Sequence, residues 1–190
     1  MPQFDLRGIK VASYVNTAGV ITYTGATSVG DAMNVNLELR FAEGRLYAES
    51  TLAEFMRKCT GGTISIGVKY IPNTAQTMMF GVTAKTRTVG TSSISSLVTS
   101  AKDTPNYVGV AFYSPDMIDG VKKYTAVKVA KALFGNPSMT LQTAGENIVF
   151  NTPTTSGEFL ADDSTTQDML EVAVCDTEAD AIAWVTAVLA

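Results

Sequence analysis

The chain has 190 residues, a formal net charge of −4 and no histidine, and 46% of its residues are hydrophobic. This length suits one domain, and the missing histidine excludes many hydrolases and metal enzymes, because it removes the commonest general base and metal ligand. No apolar run approaches the roughly 20 residues of a membrane span, and the charged N-terminus MPQFDLRGIK is unlike a secretory signal, so we expect a protein that begins in a cytoplasm and enters no membrane.

Alternation of apolar and polar residues dominates residues 1–155 and predicts β-strands. The first clear strand covers residues 34–41. Its apolar positions are Val35, Leu37, Leu39 and Phe41. A tight turn is expected at Glu43-Gly44, which would join this strand to a second one over residues 45–49 as a hairpin.

Residues 50–58 have helical spacing of Leu52, Phe55 and Met56 after a Ser-Thr pair, which predicts a short helix. Gly61-Gly62 is then interpreted as a turn into a strand over residues 63–71. Ile64, Ile66, Val68 and Tyr70 would share one face of that strand.

A second helix is expected over residues 73–80, with Asn73 as N-cap and Gly81 as its end. Residues 83–105 are rich in Ser, Thr and Gly and are interpreted as a long functional loop. A strand over residues 107–113 should end at Ser114-Pro115. An Asp119-Gly120 turn should lead into a further strand over residues 121–133.

The C-terminal part begins with residues 141–150, where a turn is expected at Ala144-Gly145. Residues 151–167 are interpreted as a flexible connecting segment because of their Thr, Ser and Asp content. The last helix is expected over residues 177–189, with Glu178 and Asp180 near its positive N-terminal end. These elements predict a mainly β, antiparallel sandwich with short helices rather than an alternating α/β fold.

We find no phosphate-binding loop, no dinucleotide-binding glycine pattern and no nucleophile elbow in the sequence. Asp162 and Asp163, helped by Glu158 and Asp168, form a weak candidate for carboxylate catalysis or cation binding, although a solvated loop is the commoner explanation of such a pair. Cys59 and Cys175 are expected to be reduced thiols. The sequence therefore implies no cofactor, no metal and no enzymatic activity.

Charge divides the chain into two parts. All fourteen Lys and Arg residues lie between Arg7 and Lys131, and residues 1–131 have nine acids and a net charge of +5. The C-terminal part, 132–190, has nine acids and no base. This asymmetry fits either a solvated acidic face or two complementary surfaces that meet when copies pack head to tail. Under the second hypothesis, cations of one copy contact acids of another. The candidate contact residues are Arg57, Lys58, Lys85, Arg87, Glu158, Asp162 and Asp163.

The order of short motifs is similar to the major tail proteins, or tail tube proteins, of non-contractile long-tailed bacteriophages. The motifs are RLYAES, Gly-Gly, TISIGVKY, NTAQTMMFG, a long polar loop, NYVGVAFY and DGVKKYTAVKVAKALFGNPSMTLQTAGENIVFNTP. The resemblance covers residues 5–155. It implies a tail-tube β domain over residues 1–155, and residues 156–190 would add an acidic arm, a last strand and a C-terminal helix that pack on the same domain.

The family implies a β-sandwich subunit, part of a tail-tube-like β-barrel, that forms hexameric rings. The stacked rings make a conduit in the virion tail through which genomic DNA passes without specific binding. The implied partners are further copies of the chain, a tape measure protein, a tail terminator and tail tip proteins, and assembly would take place in the host cytoplasm. The alternatives are a β-sandwich module that recognises carbohydrate or protein at the phage tail, and a histidine-free hydrolase that uses Asp162 and Asp163.

Overall fold

The computed structural model of the chain describes residues 5–138, 143 and 152–190. Of these residues, 63% lie in strands and 10% in helices, which confirms the predicted mainly β, antiparallel fold. The strands are β1 (Arg7–Thr17), β2 (Val20–Ser28), β3 (Ala32–Ala48), β4 (Thr51–Val68), β5 (Thr83–Val89), β6 (Ser92–Val98), β7 (Tyr107–Ile118), β8 (Val121–Phe134), β9 (Thr154–Leu160) and β10 (Leu170–Cys175). The helices are α1 (Asn73–Phe80) and α2 (Glu178–Ala187).

One antiparallel sheet carries most of the fold, in the order β2-β1-β7-β8-β9-β4-β3. Strand β8 is its centre, because the first part of β8 pairs with β10 and its C-terminal end pairs with β9. Strands β5 and β6 form a separate hairpin. Side chains from β1 and β7 share one hydrophobic cluster with side chains from β4, so the sheet closes over its own core as in a sandwich.

The main core lies on the face predicted for β4. Ile64, Ile66 and Val68 alternate along this strand and are fully buried, whereas Tyr70 lies beyond its end and is exposed. The other large members of the cluster include Ile9, Val11, Met79, Phe80, Val108, Val110, Phe134 and Phe159. Helix α1 covers this face and ends at Gly81 as predicted, but Pro72 rather than Asn73 occupies the N-cap position, without a side-chain cap.

A second core lies on the opposite face, under α2. Ala181, Val185 and Leu189 of the C-terminal segment pack there with Tyr113 and Tyr124. The Thr177 hydroxyl caps the helix by accepting the Asp180 backbone N–H, and Glu178 and Asp180 lie in the first turn. The predicted C-terminal helix is therefore confirmed, with acids at the end that favours them.

The prediction of a turn at Glu43-Gly44 and a helix over residues 50–58 is wrong. Strand β3 continues to Ala48 and β4 begins at Thr51, with Glu49 and Ser50 as the two-residue turn between them. Both turn residues have positive φ, 49° and 65°, which is the conformation of tight hairpin turns that Asn and Gly usually provide. A Glu-Ser pair does not indicate such a turn.

Gly61 and Gly62 also lie inside β4 rather than in a turn, which corrects the interpretation of this pair. A Cβ at Gly62 would lie 2.1 Å from the Glu38 backbone oxygen and 2.4 Å from the Phe159 ring. Gly61 has φ +129° beside a register shift at Arg40 and Phe41. The glycines therefore admit Phe159 against the strand, where any side chain would collide.

Two segments interpreted as loops contain strands. Residues 83–105 include the β5–β6 hairpin, whose Thr and Val residues satisfy β propensity. Residues 151–167 include β9, which lies between β8 and β4 and spans position 155, where the predicted tail-tube β domain ends. The turn expected at Ala144-Gly145 lies outside the described residues.

The β7–β8 hairpin matches the prediction closely, with Asp119 and Gly120 at its turn and positive φ at both. Strand β7 is longer than expected because it continues through Pro115 to Ile118. Pairing of β7 with β1 ends at Tyr113. Pro115 therefore lies where β7 has one neighbouring strand, a position that tolerates a missing N–H.

Candidate assembly surface

The β3–β4 hairpin extends beyond the sheet to which it belongs. Strand β9 pairs with β4 only from Gly62 to Gly67, and β3 pairs with no strand except β4 in the described part of the chain. Residues 39–60 therefore have no third strand beside them in the described part of the chain, and we call them the β3–β4 projection. Every residue of the projection except Cys59 is exposed.

The projection carries large hydrophobic side chains that the described chain leaves uncovered. They are Leu39, Phe41, Leu46, Tyr47, Leu52, Phe55 and Met56, with 39–75% of each exposed. A two-stranded hairpin without a third strand or a covering helix is marginally stable in water. Large exposed apolar side chains grouped on one element mark an interaction site or an aggregation liability.

One face of the projection is a continuation of the main core. Val35 and Leu37 of β3 pack against that core, and the two-residue period of the strand places Leu39 and Phe41 on the same side. We call this side the inner face. Phe55 lies opposite Arg45 on it. The apolar stripe that forms the core near the sheet thus continues outward with nothing from the described chain above it.

Charged side chains on the inner face form ion pairs and cation–π contacts between the two strands. The Arg57 guanidinium lies 3.9 Å from the Phe41 ring centroid, and Arg45 lies 5.6 Å from the Phe55 ring centroid. Glu43 is 3.4 Å from Arg57 and 3.5 Å from Arg45. Cross-strand pairs of this type contribute up to about 1 kcal/mol each, so they hold the register of the hairpin without burying its apolar groups.

The other side, which we call the outer face, has an open depression. It is lined by Gly44, Arg45, Leu46, Glu54 and Met56. Gly44 lies opposite Met56 in the ladder, and a Cβ at Gly44 would meet no atom within 4 Å. A glycine in a strand interior is typical of places where another backbone or a ligand approaches closely.

The β5–β6 hairpin is the second element that lies apart from the main sheet. Lys85 and Arg87 lie on one face of it with Val89 and Ile94, and both apolar side chains are about half exposed or more. Neither cation has an ion pair in the described part of the chain. The opposite face carries Ser and Thr residues, and Leu97 packs against the main core.

The acids of the C-terminal segment are largely used within the chain. Five of them form ion pairs with cations that precede residue 132. The pairs are Arg7–Glu178, Arg40–Glu158, Lys123–Asp176, Lys128–Glu171 and Lys131–Asp163. The charge division seen in the sequence therefore serves, in the single subunit, to hold the segment 152–190 against the sheet.

Lys131 and Asp163 form the best-connected of these pairs. Lys131 Nζ lies 2.8 Å from both carboxylate oxygens, and Tyr14 and Asn16 also donate hydrogen bonds to Asp163. Hydrogen bonds from Lys131 and Tyr14 lower the pKa of the Asp163 carboxyl. Burial lowers the pKa of Lys131, but attraction to Asp163 outweighs it, and the net effect is a raised pKa.

Asp162 has a local structural role. It is 9% exposed and accepts hydrogen bonds from the backbone N–H groups of Ser164 and Asp168 and from the Ser164 hydroxyl. It therefore shapes the loop that presents Asp163 to Lys131. Among the described residues, no three His, Cys, Asp or Glu side chains lie close enough together to hold a metal ion.

The seven predicted contact residues thus fall into two groups. Arg57, Glu158 and Asp163 have ionic partners in their own subunit, and Asp162 has hydrogen bonds in its own loop. Lys58 lies on the outer face of the projection. Lys85 and Arg87 are brought together on the β5–β6 hairpin. Contact between these residues and a neighbouring copy stays a prediction, and sequence reasoning missed the projection itself.

Two further features bear on function. Cys59 and Cys175 are free and partly buried. Trp184, the one tryptophan of the sequence, packs on the core under α2.

No protein-family model matches the chain, and no curated protein sequence matches it. None of the described helices combines the length and the apolar character that crossing a bilayer requires.

Proposed function

We propose that this protein is a structural subunit that self-assembles through the β3–β4 projection, and that it acts as a tail tube protein of a long-tailed bacteriophage. The observation that carries the proposal is the exposed continuation of the core onto the inner face. Leu39, Phe41 and Phe55 have the chemistry of core residues, yet 39–51% of each side chain is exposed in the single chain. A second copy is the partner that a polymerising subunit always has available.

The free edges of the sheet support the same proposal. Edge strands and unpaired hairpins that bear apolar side chains aggregate unless something covers them. A ring in which each copy covers the projection of the next removes this liability in an ordered way, because a heterologous contact closes into rings or continues into a helical filament.

The charge of the chain fits a conduit for DNA. The net charge is −4, and the C-terminal part of the sequence has acids but no Lys or Arg. A subunit with net negative charge attracts a phosphate backbone less than a basic subunit does, which favours passage of a polyanion over its binding. Hexameric rings, the tape measure, terminator and tip proteins as partners, and the virion tail as location follow from the family resemblance.

A shortened variant tests the proposal. Residues 43–57 are replaced by Asn-Gly, which joins the directly paired Ala42 and Lys58 through a two-residue turn and removes no core side chain. We expect the full chain to form rings or tubes in sedimentation and negative-stain microscopy, and the shortened chain to stay monomeric with a circular dichroism spectrum that loses only the signal of the deleted strand residues. Equal assembly of the two chains would refute the role of the projection.

The carbohydrate-binding alternative gains no specific support. Trp184 is partly buried under α2, and the exposed rings of Phe41, Tyr47 and Phe55 lie on the projection, where self-assembly already accounts for them. A glycan array probed with the full chain tests this alternative, because reproducible binding to one class of glycan would favour a binding module.

A further inference from the structure

We propose that the outer face of the β3–β4 projection of one copy receives the β5–β6 hairpin of a second copy, with Glu49 and Glu54 opposite Lys85 and Arg87. This inference rests on the proposed self-assembly and names the surfaces that meet. Both elements extend from the main sheet as two-stranded hairpins.

The carboxylates at the tip of the projection are opposite in charge to the cations of the β5–β6 hairpin. Lys85 and Arg87 are two positions apart on one strand face, about 7 Å along the strand, and no acid lies within β5 or β6. Glu49 and Glu54 lie at and near the tip of the projection. Neither carboxylate has an ion pair or hydrogen bond in the described structure. Opposite charges without internal partners are available for a partner copy at little cost in broken contacts.

The apolar groups beside these charges also correspond. Val89 and Ile94 share the face of Lys85 and Arg87 and are 61% and 49% exposed. Across the interface, the depression above Gly44 is flanked by Leu46 and Met56, which are 58% and 75% exposed. In this arrangement, Val89 or Ile94 of the incoming hairpin lies at the floor of the depression and a cation of the same hairpin lies beside Glu54.

Lys58 restricts the relative orientation of the two hairpins. It lies on the outer face, closer to the sheet than Glu54. The cations of the incoming hairpin are repelled at that end and attracted at the tip, so only one orientation of the two hairpins places opposite charges together. A directional contact between two different surfaces of one chain is heterologous and propagates from copy to copy.

Charge reversal in two separate variants tests this pairing. One variant carries Lys85→Glu and Arg87→Glu, and the other carries Glu49→Lys and Glu54→Lys. Within each variant both surfaces then have the same sign, so we expect the concentration for half-assembly to rise about tenfold or more. In an equimolar mixture every contact between unlike copies is again complementary, and assembly should return to the concentration of the natural chain.

Controls make the result specific. Lys102→Glu with Lys122→Glu lowers the net charge by the same amount as Lys85→Glu with Arg87→Glu, at cations outside both surfaces, and should leave assembly unchanged. Each variant should retain the circular dichroism spectrum and melting temperature of the natural chain. Folded variants that assemble normally, or a mixture without recovery, would overturn the pairing while leaving the proposed function intact. A natural chain that stays monomeric would overturn both.

Discussion

The two halves of the β3–β4 hairpin have the same alternating pattern and opposite surroundings. Near the sheet, Ile64 and Ile66 are fully buried in the main core. In the projection, Phe41 and Phe55 continue the stripe and are exposed. Alternation therefore reports which side of a strand is apolar, and it does not report whether the same chain provides the cover. The part of the stripe without cover is where assembly is expected.

Truncation of apolar side chains should have the largest effect, and the effect should differ between the part of the hairpin near the sheet and the projection. Ile64→Ala removes a fully buried side chain and should lower the free energy of unfolding by about 2–5 kcal/mol. Phe55→Ala in the projection should change it by less than about 1 kcal/mol but should impair assembly. Urea unfolding of the monomer measures the first effect, and sedimentation measures the second. Similar destabilisation by both substitutions would contradict the distinction.

Adding a methyl group should affect stability at Gly62 and not at Gly44. Gly62→Ala places a Cβ 2.1 Å from the Glu38 backbone oxygen, which should cost about 1–3 kcal/mol of stability or more. Gly44→Ala has open space and should be neutral for folding within about 0.5 kcal/mol. Thermal unfolding of both variants provides the measurement. A destabilising Gly44→Ala would show that the outer face is packed in the monomer.

The C-terminal segment 152–190 differs from both parts of the hairpin, because ion pairs hold it against the sheet, whereas the projection beyond Arg40 has no such attachment in the described part of the chain. Because the folded pKa of Asp163 is lowered below 3.8, its carboxylate stabilises the fold above about pH 4, and this contribution is lost as the pH falls through the lowered value. Asp163→Asn should therefore reduce the melting temperature at neutral pH and have little effect in strong acid. Glu54→Gln, without a partner, is the matched control. A pH-independent effect of Asp163→Asn would contradict the ionic attachment.

The smallest effect is expected from the ladder that holds the projection in register. Arg57→Met removes both the contact with Phe41 and the ion pair with Glu43. Global stability should change by less than about 1 kcal/mol, because the pair is exposed. Amide hydrogen exchange in residues 39–60 should accelerate while exchange in β7 and β8 stays constant. Unchanged exchange in the projection would show that other contacts hold it.

The sequence contains most of the fold and little of the candidate site. The β7–β8 hairpin and α2 were predictable because Asp119-Gly120 and Thr177 have the residue types that their turn and cap require. The predicted lengths of β3 and β4 were too short for two reasons. Glu49-Ser50 does not resemble a tight turn, and Leu52, Phe55 and Met56 have helical spacing. That spacing has a different cause in the structure: a register shift beside Tyr47 interrupts the strand period.

The candidate contact charges were only partly predictable for a related reason. The division into a basic and an acidic part of the chain is visible in the sequence, but sequence does not show that Glu158 and Asp163 lie beside Arg40 and Lys131. Pairing between charges so distant along the chain depends on strand order, with β9 placed between β8 and β4. Lys85 and Arg87 have no ion pair in the described part of the chain, so they remain candidates for contact with a neighbouring copy.

Hydroxyl-radical footprinting of the monomer and of the assembled chain measures whether a second copy covers the projection. In the monomer, Met56 is 75% and Phe55 is 51% exposed, whereas Met79 is fully buried and provides the internal reference. We expect oxidation of Met56 and Phe55 to fall several-fold on assembly, while Met79 stays protected throughout. Assembled particles in which Met56 and Phe55 react as fast as in the monomer would contradict it.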